Sequence, residues 1–237
     1  MPRAAVILDV DGTLVDSNDA HARAWVAAFA AEGITVAFDR VRRAIGMGGD
    51  KLMPEVSGIS EDSPQGSRIS EHRARILKEE YLPGLRALPG ARALVERMLA
   101  DGFELAVASS AKAEELGPLL ERAGVADLLA VRTSSADAEE SKPDPDIVRA
   151  ALARVTAPRE RTVMIGDTPY DVEAGARAGI PVIALESGGW TPDELRGAAG
   201  VYAHPADLLA RYESSALAAL AADGNRVDAG RSDGQQA

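Results

Sequence analysis

Residues 4 to 17 read Ala-Ala-Val-Ile-Leu-Asp-Val-Asp-Gly-Thr-Leu-Val-Asp-Ser, and no other stretch restricts the fold and chemistry of this chain as much. The apolar run Ala4 to Leu8 has the length and content of a buried parallel strand, and Gly12 breaks it into a tight loop. Two carboxylates, Asp9 and Asp11, stand where the strand stops. Burying both is costly, because each raises the other's proton affinity and desolvation penalises both anions. A cation close by resolves this, and a hard divalent ion held by oxygen ligands fits; Mg2+ prefers one or two carboxylates plus a substrate phosphate. In that setting Asp9 is a candidate nucleophile and Asp11 a candidate proton shuttle. An Asp-Gly pair is also a common turn former, so the rest of the chain has to decide.

From Ala91 onward the pattern alternates regularly. Strands are expected at Glu104–Ser109, 128–133, Thr162–Ile165 and 181–185, with helices between them and a last short strand and helix near Val201–Ala203 and Pro205–Tyr212. Repeated strand and helix units with apolar strands predict a doubly wound α/β fold, a Rossmann-like parallel sheet covered on both faces. Between the acid loop and the double punctuation Leu82-Pro83-Gly84 and Leu88-Pro89-Gly90 the chain reads as helices only. The expected organisation is therefore an α/β core of residues 1–17 and 85–222, an inserted helical cap of 18–84, and a disordered tail of 223–237, which has too little apolar content to pack. Within the cap, 57–70 is expected to be a loop and Arg68–Tyr81 a helix. The glycine-rich Ile45 to Leu52 follows no strand, so it does not read as a dinucleotide fingerprint; a loop folding over the acid site suits it better.

Ligands of such sheets bind outside the carboxyl ends of the strands. Those ends carry Asp9 and Asp11, then Ser109 and Ser110, then Lys142-Pro143 in a long loop, then Gly166-Asp167-Thr168-Pro169-Tyr170-Asp171. Each alone has an ordinary reading as a cap or a solvated loop. Together they supply a nucleophile, an acid, further metal carboxylates, a hydroxyl donor and a cation.

In order and spacing these four segments resemble the motifs of the haloacid dehalogenase superfamily, in its phosphatase branch with a small helical C1-type cap, as in phosphoglycolate phosphatase-like and beta-phosphoglucomutase-like proteins. The resemblance spans about residues 4 to 212. It implies a Mg2+-dependent phosphoric monoester hydrolase in which Asp9 becomes an aspartyl phosphate and Asp11 serves as general acid and base. It further implies metal binding by Asp9, the Asp11 backbone carbonyl, Asp167 and, less directly, Asp171, and phosphate binding by Gly12, Ser109, Ser110 and Lys142. His21, Gly48, Lys51, Lys112 and Trp190 are the expected substrate contacts. A sugar phosphomutase is the competing reading within the family, because Asp16 to Trp25 resembles the start of that group's cap. Its cap-loop arginine is missing here, where the matching place is about Gly49. A non-catalytic binder on the same fold is the alternative of a different class, and a receiver domain would need only half this length.

Bulk properties set the remaining expectations. A net charge of -11 argues against nucleic-acid or anionic-membrane partners and requires any phosphate site to be locally cationic. There are no cysteines, which excludes disulfides and thiolate metal sites and suits a cytoplasmic location. No apolar run approaches the ~20 residues of a membrane span, and the early first strand leaves no room for a cleavable leader. The expected partner is a small phosphorylated metabolite, and the chain is expected to be a monomer or homodimer.

Overall fold

The computed structural model describes residues 3–229, with side chains described up to residue 222. Six parallel strands form the central sheet: β1 (Ala5–Leu8), β4 (Glu104–Ala108), β5 (Val131–Thr133), β6 (Thr162–Gly166), β7 (Val182–Leu185) and β8 (Gly200–Tyr202). Two further strands, β2 (Val15–Asp16) and β3 (Arg86–Ala87), pair antiparallel as a separate ribbon. The sheet order is β5-β4-β1-β6-β7-β8, so β1 sits at the centre and the chain winds away from it in both directions. That places the topological switch point, where such sheets bind ligands, at the carboxyl end of β1.

The alternation of side chains sorts the strands' residues into two apolar layers. Val6, Leu8, Val107 and Ile165 face one layer, while Ile7, Ala106, Met164 and Ala184 face the other. Every residue of β1 is fully buried, and each large aliphatic there contributes about 1.5–3 kcal/mol by leaving water. Such a strand makes a stiff floor for whatever follows it.

Four helices lie between β2 and β3 in the sequence: α1 (Asn18–Ala31), α2 (Phe38–Ala44), α3 (Gly49–Ser57) and α4 (Pro64–Ile76), with α1 packed on α2 and α4. The remaining helices are α5 (Ala91–Ala100), α6 (Ala113–Arg122), α7 (Asp146–Leu152), α8 (Pro169–Ala178), α9 (Pro205–Ala210) and α10 (Ala216–Ala229). Chain entry and exit through the β2–β3 ribbon leave the helical segment attached to the core by two adjacent strands.

Two expectations need correction. The loop expected over 57–70 is cut short, because Ser63 caps α4 by accepting the Gly66 N–H at 3.0 Å and Pro64 suits the first helical position. The strand expected from Leu128 begins at Val131, since Leu128 and Leu129 fold back onto the Val125 carbonyl. Helix α10 is described from Ala216 to Ala229, across the expected boundary at Ala222, and its alanine- and leucine-rich first half favours helix. The rest of the expected disordered tail, 230–237, lies outside the described residues.

Candidate active site

The acid loop is built by backbone hydrogen bonds before any side chain acts. The Asp9 N–H donates to the Ile165 carbonyl of β6 at 2.9 Å, extending the sheet by one residue. The Val10 carbonyl then accepts the N–H groups of Thr13, Leu14 and Val15, closing the chain into a tight turn. Gly12 occupies the left-handed region at φ 73°, and a Cβ there would lie 2.0 Å from Asp167 Oδ2. Only glycine fits, both for its backbone conformation and for the carboxylate it lets approach.

Asp167 and Asp171 come from the loop after β6 and the start of α8. Thr168 and Asp171 form a capping box: Thr168 Oγ1 donates to Asp171 Oδ2 at 2.7 Å, and the Thr168 N–H donates to the same oxygen at 3.0 Å. Asp171 is thereby fixed. Asp167, fully buried, accepts from Thr13 Oγ1 at 3.1 Å and from Asn18 Nδ2 at 2.8 Å. Lys142 bridges the two sides, its buried Nζ donating to Asp9 Oδ1 at 2.5 Å and to Asp171 Oδ1 at 2.7 Å.

Asp11 is turned away from this cluster. Its Oδ1 accepts from Ser17 Oγ at 2.5 Å and lies 2.8 Å from His21 Nε2, both on the first turn of α1 and its approach. The two acids thus sit in different fields. Burial, only partly offset by Lys142, pushes Asp9 up to about 7. Burial would raise Asp11 as well, but the charge of His21 and the hydrogen bonds from His21 and Ser17 outweigh it and hold this carboxyl below its usual range. Asp167 is raised well above the carboxylate range by burial and by the neighbouring Asp9 and Asp171. Lys142 is buried too, yet Asp171 and Asp9 more than offset the desolvation and raise its proton affinity.

Carboxylate oxygens of Asp9, Asp167 and Asp171 lie within 4.8 Å of one another. Three aspartates gather here against Lys142, and burial together with their mutual repulsion raises the proton affinities of Asp9 and Asp167. An all-oxygen, buried, anionic donor set of this kind fits a hard divalent cation. Asn18 Oδ1 adds a buried acceptor with no hydrogen-bond partner among the described residues, beside the same group.

Helices α1 to α4 close over the strand ends. The Gly48 N–H donates to Ser141 Oγ at 2.9 Å, Ser110 Oγ reaches the Gly46 carbonyl, Arg42 donates to the Gly188 carbonyl at 2.8 Å, and Arg43 pairs with Glu194 at 2.6 Å. An inner chamber of about 50 Å3 is lined by Asp9, Asp11, His21, Trp25, Arg73 and Glu115. A second chamber of about 170 Å3 shares Gly48, Gly49, Arg73 and Ser110 with it and adds Lys112 and Glu61. Both are sized for small molecules.

The candidates read from the sequence separate in space. Asp9, Asp11, Gly12, Lys142, Asp167 and Asp171 converge at the switch point. Ser109 lies buried at the end of β4 with its hydroxyl accepting the Ala111 N–H at 3.1 Å, whereas Ser110 lines both chambers. Among the expected substrate contacts, His21 and Gly48 line the inner chamber and Lys112 the outer. Lys51 lines neither; its Nζ is held by Glu140 at 2.6 Å and Asp144 at 2.9 Å. Trp190 also lines neither, packing under the Arg43 guanidinium at 4.1 Å and edge-on to Tyr170.

Ser17 entered the sequence reading only as part of the Asp16 to Trp25 resemblance, without a role, and Asn18, Arg73 and Glu115 were given none. Arg73 shares the buried face of α4 with Ile69 and Ile76, and Glu115 shares that of α6 with Leu116 and Leu119. A charge in register with an apolar stripe is the signal that would have found them, since such residues are almost never buried unless paired.

The family profile described as "Haloacid dehalogenase-like hydrolase" matches residues 6–185. The chain belongs to that family. Among curated relatives, it is 29% identical over 197 residues to phosphoglycolate phosphatase of Rhodospirillum rubrum, covering 79% of this chain and 81% of that protein. It is 27% identical over 209 residues to N-acetylmuramic acid 6-phosphate phosphatase of Pseudomonas aeruginosa, covering 86% and 92%. A solved hydrolase of Pseudomonas syringae superposes with a TM-score of 0.83 at 31% identity, over 90% of this chain and 99% of that one. This member of the haloacid dehalogenase-like family is a phosphoric monoester hydrolase, and the buried carboxylates at its switch point are its candidate metal-binding group.

Proposed function

We propose that the chain hydrolyses a small phosphomonoester with Mg2+, through an aspartyl phosphate on Asp9, with Asp11 as general acid and base. The observation that carries this reading is the opposed treatment of the two acids: Asp9 is clamped at Oδ1 by Lys142, while Asp11 stands apart with His21 2.8 Å away. Asp9 forms the bond to phosphorus as the ester P–O bond breaks. The leaving oxygen takes its proton from Asp11, which lines the chamber beside His21. In the second half Asp11 accepts a proton from the water that attacks phosphorus, and inorganic phosphate leaves with Asp9 restored. Lys142 aligns the nucleophile and balances charge on the transferring group, which is most of what phosphoryl transfer asks of a protein. Asp9, Asp167 and Asp171 would hold the metal, whose contribution is to neutralise phosphate charge and polarise the phosphorus.

Hydrolysis is favoured over transfer between two positions by Glu61, whose carboxylate would lie 2.7 Å from a Cβ at Gly49, the place of the missing arginine. Quenching a turnover mixture with borohydride tests the covalent step. Mg2+-dependent phosphate release accompanied by conversion of Asp9 to homoserine is expected; release that leaves Asp9 unmodified overturns the mechanism.

Metal removal has a pH signature. Asp9 and Asp167 bind protons more tightly folded than unfolded, so their contribution to stability is full below the unfolded carboxylate pKa of 3.8 and is lost as pH rises, for Asp9 up to about 7. A divalent cation competes with those protons. Calorimetry should therefore find a larger rise in Tm on adding Mg2+ to chelator-treated protein at about pH 8 than at about pH 5. An equal rise at both would count against the carboxylate cluster as the binding group.

A further inference from the structure

The lining of the inner chamber includes a buried ion pair. Arg73 Nη1 of α4 donates to both carboxylate oxygens of Glu115 of α6, at 2.7 and 2.8 Å. The two side chains are only 8% and 9% exposed. The guanidinium also lies 5.1 Å from the centroid of the Trp25 ring, which fixes its plane. Its Nε is a buried N–H with no partner among the described residues.

This pair decides how the chamber treats charge. Arg73 is the guanidinium nearest to hand for a second anionic group on the substrate, and Glu115 already uses it. The adjoining chamber adds Lys112, whose Nζ is engaged by Ser70 at 3.1 Å, and it adds Glu61, Asp50 and Glu139 on the acidic side. Beyond the phosphate end, two basic side chains thus face four acidic ones. A carboxylate or second phosphate entering here would have to displace Glu115 from Arg73 and leave that carboxylate unpaired in a nearly dry wall. A hydroxyl asks for no such exchange: it donates to a Glu115 oxygen with the pair intact.

We infer that Glu115 is a specificity-determining residue: by occupying Arg73 it selects phosphomonoesters with a neutral, hydroxyl-bearing leaving part and rejects those that carry a second anionic group. The inference rests on the hydrolase reading above and narrows its substrate class. It also separates this chain from its Rhodospirillum rubrum relative, whose name gives a carboxylate-bearing substrate.

Glycerol 3-phosphate and 3-phosphoglycerate test it, since they match in size and differ in a hydroxymethyl against a carboxylate. Wild-type kcat/KM should favour glycerol 3-phosphate by about 10-fold or more, the scale on which an unpaired buried charge discriminates. Glu115→Gln frees the guanidinium and should shift that ratio by about 10-fold or more towards 3-phosphoglycerate, mainly through KM. The Arg73→Gln/Glu115→Gln double variant removes the pair without releasing a cation and should keep the preference for the neutral ester. Para-nitrophenyl phosphate run alongside separates the two levels of the argument. If wild type releases phosphate from it yet handles the matched pair equally, or prefers the carboxylate, the inference fails and the hydrolase stands. No metal-dependent release from para-nitrophenyl phosphate overturns the hydrolase reading and this inference with it. A Glu115→Gln ratio unchanged from wild type in a folded variant also overturns the role of Glu115. Should that variant not fold, the wild-type ratio alone still decides against or for the exclusion of a second anion.

Discussion

Asp9→Asn should lower the turnover of para-nitrophenyl phosphate by about 10^4-fold or more, the range found when a nucleophile that works as part of a unit is removed. The amide keeps the size and shape of the carboxylate but cannot attack phosphorus. Lys142 would retain Asp171 as a partner at 2.7 Å, so the substitution strands no buried cation. Asp9 itself is an acid that burial drives up to about 7, and exchanging it for a neutral group relieves electrostatic strain. Metal-free Asp9→Asn protein is therefore expected to melt no lower than wild type near neutral pH. Steady-state assays beside a calorimetric scan check both halves. Substantial residual turnover would move the nucleophile elsewhere, and a collapse in Tm would show that the loss of activity is a loss of fold.

Lys142→Met should have the largest effect on stability. The ammonium is 1% exposed and binds two buried carboxylates, and removing one partner of such a pair costs about 3–5 kcal/mol because the remaining charges stay desolvated. For a chain of this size that corresponds to a fall in Tm of about 10 °C. Methionine fills much of the space, so the loss reports charge more than a cavity. The electrostatic origin has its own mark. Lowering the pH protonates the stranded carboxylates, so the deficit relative to wild type should shrink towards about pH 5. A deficit that does not change with pH would assign it to packing instead. Turnover should fall as well, because Asp9 loses the donor that aligns it.

How legible each part was depended on how local its cause is. Asp9, Asp11 and Gly12 lie in one turn, and a buried strand followed by a glycine at positive φ is written in adjacent residues. Asp171 is placed by the N-terminal capping box of α8, again a short-range device. The end of α6 and the start of β5 were less legible: Val125 to Leu129 is apolar enough for a strand, yet Gly124 at φ 70° and backbone bonds to the Val125 carbonyl turn it into a loop. The start of α4 was visible in Ser63-Pro64, but the polar composition around it reads equally as a loop.

Lys51 and Arg73 mark the boundary between the two kinds of information. Both are basic residues of the helical segment, and proximity to the glycine-rich loop favoured Lys51 as the substrate contact. Tertiary packing reverses them: Lys51 is drawn outward to Glu140 and Asp144, while Arg73 is carried into the chamber on the same helix face as Ile69 and Ile76. By itself the sequence determined the parallel sheet, the acid loop at the end of its first strand and the order in which the remaining charged groups arrive at the strand ends. It could do so because strand burial, positive-φ turns and helix caps are each decided within a few residues. Which charges meet across the chamber was decided only by the tertiary structure. Arg73 and Glu115 are 42 positions apart, and their pairing depends on how α4 and α6 are brought together over the sheet. Their burial, and with it the charge that the chamber presents to a substrate, comes into being only when those helices pack.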